Sequence, residues 1–181
     1  MAGLRIKDMN ISVFRILSLC LVVTAVIVVA QANRLAYAEE SFPIERNFGG
    51  DFSRNILLKT ADGRRYNFDV ELALTPKEQQ KGLMFREEMP EMHGMLFVFG
   101  SEFTRSFWMK NTLIPLDIIF IERDGRIQHV HSMAKPLDES AVSSGAPSYA
   151  VLEINGGLAN KLDIKPGDYI YHEAFRNRNL E

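Results

Sequence analysis

Hydrophobic and polar positions alternate through residues 66–74: Val70, Leu72 and Leu74 fall on one side of an extended chain, Glu71 and Ala73 on the other. A period of two is that of a strand with one buried face, so Glu71 points away from the main core or into a pocket. Residues 55–60 form a second short run, and Asp62-Gly63 between the two supplies the positive φ angles of a tight hairpin turn. The arrangement recurs where 116–122 and 126–133 flank Asp124-Gly125. Apolar runs at 95–99, 105–110, 149–154 and 169–173 predict four more strands, the last entered through the turn pair Pro166-Gly167. Helical signals are few. In Thr75-Pro76-Lys77-Glu78 the Thr hydroxyl can bond an orphan backbone N–H, Pro suits the first helical position and Glu returns the bond, which predicts a short helix ending at Gly82. Residues 136–148 read as a loop. Many short strands and one or two short helices predict a mainly-β sandwich or small barrel over 55–175, with 176–181 as a tail.

The first 38 residues follow another pattern. Arg5, Lys7 and Arg15 precede an uncharged run from 16 to 30, and Ala36-Tyr37-Ala38 stands before Glu39-Glu40. Basic flank, apolar run and small-residue site together predict a secretory signal peptide and an exported, periplasmic domain. The run falls short of the roughly 20 residues that span a bilayer, which favours cleavage after Ala38. If the segment is instead kept as a signal anchor, 16–32 would hold the protein at the inner membrane. Residues 39–54, with Pro43 and Gly49-Gly50, read as a linker or an ordered edge segment.

Composition removes more functions than it suggests. The 181 residues carry a net charge of -2, which does not supply the basic footprint of a nucleic-acid-binding protein. The single cysteine, Cys20, excludes an internal disulfide, a cysteine-based zinc site and a CxxC redox pair. No GxSxG elbow occurs.

The central stretch reads GLMFREEMPEMHGMLFVF at 82–99 and SFWMKNTLIPLDIIFIERDG at 106–125. These blocks, with Val151-Leu152-Glu153 and the final Ile164-Lys165-Pro166-Gly167-Asp168, resemble the DUF192 family, also called UPF0127, over about 55–173. The resemblance implies a jelly-roll-like β sandwich and no established activity. Its motif residues fall on Glu71, Arg86, Trp108, Lys110, Asn111, Asp117, Glu153 and Asp168, without assigned roles.

Physical chemistry ranks these residues further. On a strand through 106–110, Phe107 and Met109 share one face and Trp108 and Lys110 the other, so that the sole tryptophan lies beside a cation. With Glu71, Arg86, Asn111 and Asp117 they would form a recognition surface for a carbohydrate or a small anion, Arg86 clamping it bidentately. The structural alternative packs Trp108 under 82–94, pairs Lys110 with Asp117 and Arg86 with Glu71, and leaves Asn111-Thr112 as a turn. Met89, Met92, His93 and Met95 form a soft donor set suited to Cu(I), the sole cofactor the sequence suggests, although methionines also fill cores. His129 and His131 share a strand face and read as solvated. Glu71, Asp117 and Glu153 could supply the carboxylate pair of a hydrolase. The favoured expectation is a non-catalytic ligand-binding or envelope-accessory module, its partner an envelope ligand or protein, with Cu(I) binding and carboxylate-dependent hydrolysis as alternatives.

Overall fold

The computed structural model describes residues 52–175 and 177, all within the second of two compact units that divide near residue 45. Seven strands form a single sheet in the order β5-β4-β6-β3-β2-β1-β7. They are β1 (Asn55–Lys59), β2 (Arg65–Ala73), β3 (His93–Phe107), β4 (Leu116–Ile121), β5 (Ile127–Ala134), β6 (Val142–Asn155) and β7 (Tyr169–Tyr171). Two short helices, α1 (Pro76–Lys81) and α2 (Leu158–Leu162), and a 3-10 turn at Glu173–Phe175 complete the order. All pairings are antiparallel except that of β2 with β3, which α1 and the segment 82–92 connect.

The expected mainly-β domain with short helices is present, and the sandwich or small barrel takes the form of one sheet curled into a half-barrel. The curl brings the two sheet edges together. Gly167 N–H donates to the Ile127 carbonyl (2.8 Å), Ile127 N–H to Asp168 (2.7 Å) and Ile170 N–H to Gly125 (2.8 Å). Edge backbone groups are thereby satisfied within the molecule rather than left to pair with another chain. Gly125, at φ +91°, is required there: a Cβ would lie 2.3 Å from the Ile170 carbonyl oxygen.

Both Asp-Gly turns close hairpins as expected, and the capping box at Thr75 forms with both reciprocal bonds. Three elements differ from the sequence reading. The runs 95–99 and 105–110 belong to one long strand, β3, which ends at Phe107, so Trp108 and Lys110 sit in the loop beyond it. Residues 99–102 of β3 oppose Tyr149 alone on β6, a bulge that Gly100 permits at φ +70° and that made one strand read as two. The supposed loop 136–148 contains the first residues of β6, where Val142 pairs with Phe107 and Ser143 with Ser106. Small and polar side chains there masked the strand, whose partners are set by the sheet and not by its own propensity. Helix α2 carried no cap signal of its own, because its cap comes from far along the chain.

Two cores flank the sheet. The inner one takes residues from all seven strands, among them Leu58, Phe68, Leu96, Ile119, Ile127, Leu152 and Ile170. The outer one covers β3, β4 and β6 with Leu83, Met109 and Ile114 from the crossing segments. Every residue of β4 is therefore buried, which accounts for the nearly unbroken apolar run LDIIFI.

Asp117 is the exception within that run. Its carboxylate is fully buried and accepts N–H bonds from Met133 (2.8 Å), Gly157 (2.9 Å) and Ala159 (2.7 Å), pinning the end of β5 and the start of α2 to β4. It is thus no part of a recognition surface, and it makes no pair with Lys110. Asp168 acts similarly, accepting from Ala61 (2.8 Å) and Lys165 (2.9 Å) and joining the first hairpin turn to the entry of β7. Replacing Asp117 with Asn puts an N–H donor against backbone donors and removes the charge; urea unfolding should show a loss of about 3 kcal/mol or more. A loss under about 1 kcal/mol would mean that α2 and β5 hold their positions without it.

Candidate functional site

The residues expected to form one surface separate into several environments. Glu71 on β2 and Arg86 after α1 make an ion pair at 2.6 Å, half-buried, which is the structural alternative the sequence allowed. Lys110 lies over the Trp108 ring at 5.2 Å and pairs with Glu139 at 3.9 Å. Asn111 adopts φ +56°, accepts the Phe85 N–H through its carbonyl (2.8 Å) and directs its amide at Met84 Sδ (3.8 Å), the bonding of a turn. Met109 is buried and Trp108 about half exposed (49%), both in the loop beyond β3.

The expected Cu(I) donors do not converge. Met92 packs against the inner core, Met89 and Met95 against the outer one, and His93 Nε2 meets Asp69 at 3.4 Å. Met92 thus lies on the other side of the sheet from Met89 and Met95. Among the described residues no cluster of His, Cys, Asp and Glu could hold a metal ion. His129 stacks on Phe120 at 5.8 Å.

A different feature lies over the outer face of the sheet. A cavity of about 460 Å³ opens between α1 and its exit, which contribute Lys81, Gly82 and Leu83, and β3, which contributes Phe97, Phe99, Arg105 and Phe107. Trp108 and Glu153 of β6 also line it. Phe107 packs edge-on against Phe97 (5.2 Å), Phe99 (6.3 Å) and Phe120 (6.1 Å), so one wall is a fixed aromatic cluster. Of the residues expected to bind a ligand, Trp108 alone lines this cavity.

Glu153 is buried (5% exposed) between Met95 of β3 and Ile118 of β4, and among the described residues its carboxyl has no hydrogen-bond or ion-pair partner. Burial pushes its pKa from 4.5 up to about 8, which favours the neutral acid over the carboxylate in the folded protein. Arg105 also lines the cavity: one guanidinium nitrogen donates to the Ser101 carbonyl (2.7 Å) and the guanidinium lies 4.0 Å from the centre of the Phe99 ring. Its Nε is buried with no acceptor, and burial lowers its pKa, although an arginine stays charged at neutral pH. No second carboxylate joins Glu153 in the cavity lining, so the pair that a glycosidase-type hydrolase requires does not assemble there.

Sequence reasoning held Glu153 as a motif residue and missed Arg105. The signal for Glu153 is the run AVLEIN, an acid inside a strand that is otherwise apolar on both faces. Arg105 has no such signal, since nothing in its local sequence marks it as a cavity residue.

A β domain whose outer face carries a small aromatic cavity with an unpaired acid is the class that fold and site define. Residues 57–172 match the DUF192 family model, described as "Uncharacterized ACR", and the chain belongs to that family. A solved structure of a "putative transcription regulator" from Sinorhizobium meliloti 1021 is similar, with 41% identity, a TM-score of 0.66 and coverage of 69% of this chain and 99% of that one. So is a protein of unknown function from Novosphingobium aromaticivorans DSM 12444, with 46% identity, a TM-score of 0.62 and coverage of 64% and 82%. No curated protein matches the chain.

These relatives correct the location expected from the N-terminal run. The Sinorhizobium protein, matched over 99% of its length, is described as a "putative transcription regulator", not as an exported protein. The expected signal peptide or anchor at 1–38 lies outside the described residues, as do most of 39–54 and of the tail. Among the described residues no helix is long and apolar enough to cross a membrane.

The raised pKa of Glu153 has a definite consequence for stability. Below pH 4.5 the acid is protonated in both folded and unfolded chains and costs nothing; between 4.5 and 8 the unfolded chain alone ionises, so stability falls as pH rises and levels off above 8. The loss is on the order of 5 kcal/mol at pH 9. Glu153→Gln should therefore match the wild type in Tm near pH 4.5 and exceed it at pH 9. Equal Tm values at both pH values would show that Glu153 ionises in the folded protein as it does in water.

Proposed function

We propose that this domain is a non-catalytic small-molecule-binding module whose ligand enters the cavity between α1, β3 and β6. The observation that carries the reading is Glu153: a buried acid with no partner among the described residues, lining a cavity of about 460 Å³. Leaving a polar group unpaired in a protein interior costs about 1–3 kcal/mol, and a ligand that supplies its partner recovers that cost on binding. The volume suits a small organic molecule, and the mixture of aromatic wall with a few polar groups is that of ligand sites in general.

The description of the Sinorhizobium relative as a "putative transcription regulator" supports a sensing role for such a site. Direct DNA contact has less support: α1 has six residues and α2 five, short for a helix that reads a major groove, and the chain's net charge is -2.

Trp108 is the sole tryptophan and lines the cavity, so its fluorescence reports occupancy without a label. A panel of small aromatic and aliphatic compounds at millimolar concentration should include members that both change Trp108 emission and raise Tm. Glu153→Leu should abolish or strongly weaken those responses. If no member of the panel moves either signal, or if Glu153→Leu leaves all responses unchanged, the cavity is not the site.

A further inference from the structure

We propose that the cavity selects an anion, a small carboxylate with an aromatic body, whose charged oxygens take up Arg105 while Glu153 donates to the same group or to an oxygen beside it. The proposal rests on the cavity being a small-molecule site and names the chemical class it accepts. The first ground is the type of group left unsatisfied. Arg105 lines the cavity with its Nε lacking an acceptor among the described residues, and Glu153, whose pKa burial raises to about 8, stands in the same lining. A guanidinium donor without an acceptor calls for one, and an oxyanion satisfies an arginine with the strongest geometry available to it.

The second ground excludes the opposite charge. Aromatic walls often take cations, but the ring face best placed for one is occupied, since the Arg105 guanidinium already lies 4.0 Å over Phe99. Lys81 adds a second positive group to the lining, and among the described residues Glu153 is the single acid in it. Lys110 lies over the Trp108 ring at 5.2 Å, and Glu71 and Arg86 pair with each other at 2.6 Å. At pH 7 the cavity thus presents positive charge and hydrogen-bond donors over an aromatic floor, and an amine would meet repulsion there. Residues 99–102 leave the ladder, and the carbonyl of Ser101 among them accepts a bond from the Arg105 guanidinium (2.7 Å).

Three probes of equal size separate the possibilities: benzoate, benzyl alcohol and benzylamine, each titrated at pH 6.5 by calorimetry and by Trp108 emission. Benzoate should bind at least tenfold more tightly than either of the others. Arg105→Gln should remove that preference, and Arg105→Lys should retain part of it, with Tm showing that both variants are folded. Tighter or equal binding of benzyl alcohol or benzylamine would overturn the anion selection while leaving the cavity as a ligand site. Failure of all three to bind the wild type at millimolar concentration would overturn both readings. An undiminished benzoate preference in Arg105→Gln would overturn the role of Arg105.

Discussion

Strand β6 lies between β3 and β4 with apolar cover on both faces, and this double burial sets the terms for every polar side chain in the middle of the sheet. A carboxylate in such a place cannot be solvated, so it must be satisfied by the protein, be neutral, or meet a partner from outside. Asp117 on β4 follows the first course, with three backbone N–H donors at 2.7–2.9 Å. Glu153 on β6 follows the second, and the cavity beside it makes the third possible. Two acids in adjacent strands thus have opposite fates, decided by what backbone happens to reach them.

The satisfied acids hold the half-barrel in its curl. Asp117 fastens α2 and the end of β5 to β4, Asp168 ties the first hairpin turn to the entry of β7, and Glu71 with Arg86 fastens the segment after α1 across β2. That segment, together with the loop after β3, forms the roof of the outer core. The cavity lies between that segment and β3, with Glu153 in its lining.

Much of the fold was legible in the sequence. Asp-Gly turns between alternating runs specified both hairpins, and the Thr75 to Glu78 box specified α1, because these are local signals whose geometry needs no distant partner. The strand start at 142, the continuity of β3 through its bulge and the helix α2 were not legible. Each is stabilised by pairing or capping from remote residues. The methionine and histidine cluster at 89–95 shows the converse, since residues near in sequence ended on opposite sides of the sheet.

Family membership, the mainly-β class and the presence of an acid in an apolar strand follow from the sequence alone, because motif spacing, turn chemistry and hydrophobic period are properties of the chain. Which acid is satisfied and which is exposed to a cavity, and that Arg105 rather than Arg86 faces it, were decided by the tertiary structure. The reason is that desolvation and hydrogen-bond satisfaction depend on atoms brought together from α1, β3 and β6, and no local pattern encodes that meeting.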